Sequence, residues 1–248
     1  MIRALLLVLA LLAAGPSLAQ PVGCRETTHA GTRYAICVVD MAQADLRLFL
    51  HDTDGLPFGH FHLIDRALAP RGERLLFAMN AGMYHENRDP VGYYVESGTE
   101  LMRVVPNAGP GNFGMLPNGI LCIRPGRADV IETLAFQKLA PDCRYATQSG
   151  PMLVIDGALH PRFLPDSTSR YIRNGVGTSA DGLTAVFAIS RSPVTFHDFA
   201  SLFRDGLNLP NALYLDGNIS RLYAPEIGRD DPGRGMGPVV GVVVPLSD

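Results

Sequence analysis

A carboxylate at the end of an apolar segment is the residue of this sequence best placed to do chemistry. Residues 211–220 read Asn-Ala-Leu-Tyr-Leu-Asp-Gly-Asn-Ile-Ser, so a strand-like run ends at Asp216, and a glycine and the Ser220 hydroxyl follow. A buried strand holds a terminal carboxylate firmly, and a following glycine lets backbone amides approach a ligand. Apolar runs also end at Asn80 and at Asp156, each close to a glycine. These three elements predict a site assembled from strand ends.

The Asp-Gly pair has a second interpretation, because Asp-Gly and Asn-Gly are also strong signals for hairpin turns that need positive φ. The sequence contains many such pairs, so most of them must be plain turns. Asp181-Gly182, between the apolar runs 176–178 and 183–189, predicts a hairpin. For Asp216 the residues alone leave both a turn and an active site open.

The N-terminus predicts export. Arg3 precedes an apolar run over 4–14, and a small-x-small pattern ends at Ala19. This run is too short to span a bilayer, and residues 1–19 therefore read as a signal peptide that is cleaved before Gln20. No later stretch is apolar enough for a membrane span, so we expect a soluble periplasmic or secreted protein.

The charge balance excludes a nucleic-acid partner and an anionic lipid surface, because the formal net charge is −3 and no basic run occurs. Lys138 is the only lysine. Any strong contact with an anion must therefore come from arginine, whose planar fork suits phosphate and carboxylate.

Four cysteines remain after removal of the signal peptide: Cys24, Cys37, Cys122 and Cys143. An even number in an exported chain favours disulfides, and of the three connectivities we favour pairing between sequence neighbours. Each bridge would contribute about 3 kcal/mol through the unfolded state. No Cys-x-x-Cys or His-x-x-x-His pattern is present, so we expect no zinc site and no other cofactor.

Turn residues are frequent, with 26 glycines and 19 prolines, and they separate many short strand-like runs. Alternating or apolar runs predict strands at 34–39, 45–50, 75–79, 93–96, 100–104, 120–123, 152–155, 212–215 and 239–244. The first two are expected to form an opening hairpin, and the last, apolar throughout, is expected to be central in a sheet.

Helical spacing of apolar residues predicts two principal helices, over 58–68 and 196–204. The second begins with a capping-box pattern, Thr195 to Asp198, and stops at Gly206. The predicted fold class is α+β: a single domain with a mixed, mostly antiparallel β-sheet and a few helices.

Polar residues on glycine-rich elements complete the candidate site. They are amides, hydroxyls, arginine and carboxylates, which suit a sugar attached to an anion: Asn80, Tyr84, Glu86, Ser149, Gly150, Arg173, Asn174, His197, Asp216, Gly217 and Ser220. No Gly-x-Gly-x-x-Gly or Walker pattern occurs, which argues against a nucleotide cofactor. His197, in the first turn of its helix, has a capping or packing role as its alternative.

Three motifs carry a resemblance to a known family. The segment 80–84, Asn-Ala-Gly-Met-Tyr, resembles Asn-Gly-Gly-Phe-Phe; 173–177, Arg-Asn-Gly-Val-Gly, resembles Arg-Thr-Ala-Ile-Gly; and 215–220, Leu-Asp-Gly-Asn-Ile-Ser, resembles Leu-Asp-Gly-Gly-Gly-Ser. In this order they are similar to the motifs of the phosphodiester glycosidases, a family that includes an enzyme removing N-acetylglucosamine from a phosphodiester. The resemblance covers residues 72–245. It assigns 72–248 to a glycosidase-like domain to which 20–71 adds N-terminal strands and a helix.

The resemblance implies an exported hydrolase that cleaves a glycosyl phosphodiester and releases a sugar and a phosphomonoester. Asp216 would assist water or stabilise the transition state, Arg173 would clamp the phosphate, and Asn80 would orient oxygens. The remaining candidates would bind substrate, which is a small-molecule or polymeric glycosyl phosphate. The loop after Asp216 is bulkier than the family's triple glycine, so the substrate of this branch need not be N-acetylglucosamine-based.

Two alternatives remain open. A non-catalytic envelope module that binds glycan or phosphopolymer would keep the arginines without needing the carboxylate. An ordinary glycoside hydrolase would need a second carboxylate, for which Glu86 and Asp156 are candidates. Asp216, Glu86 and backbone carbonyls are also ligands that Ca²⁺ accepts, but no pattern demands a metal.

Overall fold

The computed structural model describes residues 20–216 and 219–246, which form three β-sheets. Strands are numbered in chain order. Sheet I has the order β1 (Val22–His29), β2 (Thr32–Asp40), β13 (Thr184–Ser190), β12 (Asn174–Thr178), β14 (Asn211–Asp216), β10 (Met152–Ile155) and β11 (Ala158–Leu159). Sheet II has the order β16 (Arg229–Asp230), β15 (Leu222–Ala224), β4 (Glu73–Asn80), β17 (Val239–Pro245) and β3 (Asp45–Phe49). Sheet III has the order β6 (Thr99–Met102), β5 (Tyr94–Glu96), β9 (Tyr145–Ser149), β7 (Gly119–Arg124) and β8 (Arg127–Glu132).

The three sheets enclose one central core, and each carries a helix on its outer face. The α-helices of the described chain are α1 (Phe61–Leu68), α2 (Thr133–Leu139) and α3 (Phe196–Ser201). Side chains of α1 pack on sheet II, those of α2 on sheet III and those of α3 on sheet I. Pairing between the described strands is antiparallel, which confirms the α+β class with a mostly antiparallel arrangement.

The strand β14 shows how this arrangement exposes functional groups. Leu213 and Leu215 point into the central core, while Ala212 and Tyr214 face the α3 side. Period-two alternation places Asp216 on the same side as Tyr214. The end of β14 therefore offers a hydroxyl and a carboxylate outside the central core.

Several elements agree with the sequence-based expectations. The β12–β13 hairpin turns at Asp181-Gly182, and β17 lies centrally between β4 and β3. Thr195 and Asp198 form a capping box at the start of α3, and a π-helical turn, Leu202–Gly206, continues the helix.

The predicted opening hairpin is wrong, although both of its strands exist. β2 pairs with β1 and β13 in sheet I, whereas β3 pairs with β17 in sheet II. β3 lies near the N-terminus of the described chain and β17 near its C-terminus, yet the two strands pair in one sheet. The apolar surface that this pairing buries stabilises the fold more than a hairpin between sequence neighbours would. β1 and α2 were not predicted, because β1 is mostly polar and α2 exposes Leu134 and Leu139.

The disulfide pairing between sequence neighbours is confirmed. Cys24 and Cys37 are direct cross-strand partners in β1 and β2, and their bridge has an S–S distance of 2.08 Å. Cys122 on β7 is bridged to Cys143, which precedes β9. In the described ranges no helix is both long and apolar enough to cross a membrane.

Candidate functional site

A cavity of 1170 Å³ opens where β4 and β14 end and β12 begins. Its polar and aromatic lining comes from five chain segments: Tyr84, His85, Glu86, Arg88, Asn112, Phe113, Ser169, Tyr171, Arg173, Tyr214, Asp216, Ser220, Arg221 and Arg234. Four of these are arginines and two are carboxylates, so the wall carries a surplus of positive charge. Such a cavity suits an anionic ligand.

Asp216 is the carboxylate held most firmly at this cavity, with 7% of its surface exposed. Its backbone N–H donates to Asn174 Oδ1 at 3.2 Å, which fixes the end of β14 against β12. The Ser220 hydroxyl lies 3.1 Å from the Asp216 carbonyl oxygen and 3.2 Å from that of Ile172, and it can donate to either. Both the backbone N–H and the backbone carbonyl of Asp216 therefore have neighbouring residues within hydrogen-bond distance.

Three buried polar residues join the three sheets around Asp216. Asn174 Nδ2, on sheet I, donates to Asn80 Oδ1, on sheet II, at 2.6 Å. Ser149 Oγ, on sheet III, donates to the carbonyl oxygen of Leu215 at 2.7 Å. The same Asn80 oxygen accepts the backbone N–H of Arg221 at 3.0 Å. These bonds fix the position of Asp216 relative to Arg221.

Arg173 is a buried cation in the wall of the cavity, with 1% of its surface exposed. Its Nε donates to the carbonyl of Val194 at 2.9 Å and its Nη2 to that of Ser169 at 3.2 Å. The guanidinium carbon lies 3.6 Å from the centroid of the Phe196 ring. Burial lowers the pKa of Arg173, because desolvation disfavours the charged form.

Three buried donors in this region have no hydrogen-bond partner in the described chain: Asn80 Nδ2, Arg173 Nη1 and the Tyr214 hydroxyl. Burial raises the pKa of Tyr214, and the nearby Arg173 opposes that rise. The two groups are therefore neighbours, but they do not form a well-directed hydrogen bond with each other. Unsatisfied buried donors are costly, and because Arg173 Nη1 and the Tyr214 hydroxyl are closed to solvent, a ligand oxygen would reach them only after the surrounding side chains shift.

The opposite wall includes Tyr84, Arg221 and Arg234. Arg221 Nε donates to the carbonyl of Asp231 at 2.8 Å, and Nη1 donates to that of Arg234 at 3.0 Å. Burial lowers the pKa of Arg221, as it does for Arg173. Tyr84 closes this side, with its hydroxyl 3.4 Å from the Gly235 carbonyl and with Arg88 over its ring.

Comparisons with known proteins show the family of this chain. A family model described as phosphodiester glycosidase matches residues 73–243, more than half of the chain. The chain belongs to the phosphodiester glycosidase family. The uncharacterised protein YigE of Escherichia coli (strain K12) is 34% identical over 178 residues, which cover 72% of this chain and 69% of YigE.

Solved structures similar to this phosphodiester glycosidase family member share its fold at low sequence identity. The catalytic domain of zebrafish N-acetylglucosamine-1-phosphodiester alpha-N-acetylglucosaminidase, auto-inhibited by its pro-peptide, is 14% identical with a TM-score of 0.58. The match covers 93% of this chain and 84% of that one. A hypothetical protein from Synechocystis is 12% identical with a TM-score of 0.57, covering 89% of this chain and 61% of that structure. The chain thus spans less than two thirds of the Synechocystis structure.

The candidate residues named from the sequence separate into two groups in this family member. Five line the cavity: Tyr84, Glu86, Arg173, Asp216 and Ser220. Five others do not: Asn80, Ser149, Gly150, Asn174 and His197. Gly217 lies outside the described residues.

The residues of the second group contact other parts of the protein and not the cavity. Asn80, Ser149 and Asn174 form the bonds between sheets described above. A Cβ on Gly150 would lie 2.6 Å from that of Asn118, so packing requires the glycine. His197 lies in the first turn of α3, away from the cavity, while Thr195 and Asp198 supply the cap.

Of the two candidates for a second carboxylate, only Glu86 reaches the cavity. It is exposed on the loop after β4. Asp156 has φ +47° in the turn between β10 and β11, and its N–H bonds to Asn211, at the far end of β14 from Asp216. The turn interpretation therefore holds for Asp156.

Sequence reasoning missed Tyr214, Arg221, Arg88 and Arg234. Tyr214 could have been found, because it precedes Asp216 by two residues on a strand and so shares its face. Arg221 directly follows Ser220, but only the pairing of β15 with β4 shows that it turns toward the cavity. As for metals, the described residues contain no group of three or more His, Cys, Asp or Glu side chains able to hold an ion.

Proposed function

We propose that this protein is an exported hydrolase that cleaves a glycosyl phosphodiester and releases a sugar and a phosphomonoester. Membership of the phosphodiester glycosidase family supports this reaction class. The observation that carries the proposal is a single cavity that brings the nearly buried carboxylate of Asp216 together with the guanidinium groups of Arg173 and Arg221.

The arginines of this cavity suit the non-bridging oxygens of a phosphate. Arg173 is held by two backbone carbonyls, so its guanidinium keeps its charge available for a ligand. A rigid guanidinium that donates to phosphate gives short, charge-assisted hydrogen bonds and needs little reorganisation. A raised pKa keeps the Tyr214 hydroxyl protonated and able to donate at neutral pH.

In the proposed reaction, water attacks the anomeric carbon and the bond between that carbon and the phosphate oxygen breaks. Asp216 takes a proton from the water as the new carbon–oxygen bond forms, and the electron pair of the broken bond leaves on the phosphate. The proton that Asp216 gains is then released to solvent or to the phosphomonoester. Asp216 also stabilises the oxocarbenium-like charge that develops at the sugar.

One carboxylate is sufficient for this reaction. An alkoxide leaving group must be protonated, and ordinary glycosidases therefore use a second carboxylic acid. A phosphomonoester has a second pKa of about 6 and leaves without strong acid assistance. Charge neutralisation by Arg173 and a donor from Tyr214 take the place of that acid.

The N-terminal sequence and the disulfides support an exported location. Residues 1–19, read as a signal peptide, lie outside the described residues. The two disulfides support an oxidising compartment, the periplasm or the exterior. We therefore propose one exported domain beginning near Gln20, with 20–71 contributing strands and a helix to the 72–248 glycosidase region.

Hydrolysis of glycosyl 1-phosphate alkyl diesters by the purified protein tests the proposal. Asp216→Asn should lower kcat by more than about 100-fold, and Arg173→Gln should lower kcat/KM by a similar factor. Matched controls are Asp156→Asn in a remote turn and Arg170→Gln, which is half-exposed and outside the cavity wall. Folding of each variant is checked by thermal unfolding, and Arg173→Lys separates loss of charge from loss of the fork. Wild-type protein that binds these diesters without hydrolysing them would instead identify a binding module.

A further inference from the structure

The cavity holds more positive charge than one phosphodiester requires. Four arginines line it against two carboxylates. In the described ranges Glu86 forms no ion pair with any of the four arginines, Arg88, Arg173, Arg221 and Arg234. A phosphodiester carries a single negative charge, so the cavity could neutralise a second anionic group.

The two buried arginines belong to different walls. Arg173 precedes β12 of sheet I and is fixed by the carbonyls of Ser169 and Val194. Arg221 precedes β15 of sheet II and is fixed by the carbonyls of Asp231 and Arg234. Because each guanidinium is anchored by two carbonyls, neither is free to move to the ligand of the other.

Arg221 still has donors to offer a ligand. Its Nε and Nη1 are used by carbonyls, but Nη2 makes no hydrogen bond with any residue of the described chain. Its guanidinium carbon lies 5.1 Å from the centroid of the Phe61 ring, which supports the head from one side. Arg234, exposed on the adjoining loop, adds a second charge to this wall. Burial lowers the pKa of Arg221, and the nearby carboxylates of Asp230 and Asp231 only partly offset this effect, so a ligand anion at Nη2 would stabilise the charge further.

We infer that the substrate carries a second anionic group, a phosphate or a carboxylate, and that Arg221 and Arg234 bind it while Arg173 binds the phosphodiester. The inference rests on the proposed function and narrows its substrate class to glycosyl phosphodiesters with at least two negative charges. Arg221 and Arg234 then determine specificity, and Asp216 acts on the same anomeric carbon as before.

Three diesters of one sugar 1-phosphate test the inference. Their alcohol parts are glycerol, glycerol phosphate and glycerate, so they differ in the second anionic group and its type. We expect kcat/KM of the wild-type protein to be at least about tenfold higher for one or both doubly charged diesters than for the glycerol diester. The preferred diester shows whether the group is a phosphate or a carboxylate. Equal values for all three would overturn the inference.

Variants of the arginines show which residues cause the preference for a second anionic group. Arg221→Gln should lower kcat/KM for the preferred doubly charged diester at least about tenfold more than for the glycerol diester. Arg234→Gln changes an exposed position that tolerates substitution. It should also lower kcat/KM for the doubly charged diester more than for the glycerol diester, but by a smaller factor than Arg221→Gln. Arg103→Gln removes the same charge from an exposed residue outside the cavity wall. It should leave the ratio of kcat/KM between each doubly charged diester and the glycerol diester unchanged. An equal loss for all diesters in Arg221→Gln would place Arg221 at the leaving phosphate and contradict the inference.

Calorimetric binding separates this inference from the proposed reaction. If none of the diesters is hydrolysed, the proposed function fails, and the dissociation constants of glycerol phosphate and glycerol bisphosphate are compared. Binding of the bisphosphate at least about tenfold tighter, with the advantage lost in Arg221→Gln, would support two anion subsites. Equal dissociation constants for glycerol phosphate and glycerol bisphosphate would overturn the two anion subsites.

Discussion

Asn174 Nδ2 lies 2.6 Å from Asn80 Oδ1, and this bond joins sheet I to sheet II beside the cavity. Asn174 Oδ1 also accepts the backbone N–H of Asp216, and Asn80 Oδ1 also accepts that of Arg221. The two amides thus connect the carboxylate on one wall with the arginine on the other. Their role is to fix the distance between groups that touch the ligand.

Replacing Asn80 should destabilise the fold and loosen the site. Asn80→Ala leaves two buried donors, Asn174 Nδ2 and the Arg221 N–H, without their acceptor, at a cost of about 1–3 kcal/mol for each. We expect the free energy of unfolding in urea to fall by at least about 2 kcal/mol. Asn87→Ala, in an exposed turn, should stay within about 0.5 kcal/mol of the wild type. A normal unfolding midpoint for Asn80→Ala would show that the two amides do not join the sheets.

Phe196 should act through Arg173. Its ring lies between the guanidinium, at 3.6 Å from the ring centroid, and Phe163, which stacks on it at 4.9 Å. Phe196→Leu removes a cation–π contact of about 1–2 kcal/mol and should raise KM about fivefold to tenfold, with a smaller change in kcat. Phe196→Tyr keeps the aromatic face and should restore most of the loss.

Phe163→Leu is the matched control for this platform, because it removes an aromatic ring from the same stack without touching Arg173. Phe163→Leu should lower thermal stability, and it should raise KM less than Phe196→Leu does. Equal effects of the two leucine variants on KM would mean that Phe196 has only a packing role.

Glu86 should matter less than Asp216 for the proposed reaction. A phosphate leaving group needs little protonation, so Glu86→Gln should lower kcat on a glycosyl phosphodiester less than about tenfold. Asp216→Asn should lower it by more than about 100-fold. Steady-state rates of the two variants decide the point. A loss of comparable size in both would favour the two-carboxylate mechanism of ordinary glycosidases.

Glu96 should make stability depend on pH. Burial raises the pKa of Glu96, so the folded state retains its proton to a higher pH than the unfolded state does. The free energy of unfolding should therefore fall as pH rises from about 4.3, the unfolded value, through the higher folded pKa. Glu96→Gln removes this titration and keeps an oxygen for the Tyr94 hydroxyl, which donates to Glu96 at 2.8 Å.

Urea unfolding between about pH 4.5 and pH 8 measures the effect. The Glu96→Gln variant should lose less stability over this range than the wild type and should be at least as stable at the upper end. Glu100→Gln, at an exposed position, should leave the slope unchanged. If the free energy of unfolding of Glu96→Gln falls with pH as steeply as that of the wild type, Glu96 does not cause the pH dependence.

The sequence predicted most strands and the order of the motifs, because alternation and apolar runs are local signals. It could not predict that β3 pairs with β17, since that choice depends on which apolar faces fit together across the chain. It also missed β1, whose polar residues give no apolar alternation and whose place is secured by the Cys24–Cys37 bridge and pairing with β2.

At the candidate site, the motifs indicated strand ends that the structure brings to one cavity, but they did not predict the direction of each side chain. Asn80 and Asn174 were expected to touch substrate, yet both are buried and bonded to protein. Arg221 carried no motif signal, and its place in the wall depends on the β15–β4 pairing and on carbonyls ten and thirteen residues further along the chain. Contacts of this kind arise only from the tertiary fold.

The position of bond cleavage tests the central claim most directly. Hydrolysis of a glycosyl 1-phosphate diester is run in water enriched in oxygen-18, and the phosphomonoester product is analysed by mass spectrometry. Attack of water at the anomeric carbon predicts that the phosphomonoester is unlabelled and that the label enters the sugar. Oxygen-18 in the phosphomonoester would show attack at phosphorus and would contradict a glycosidase.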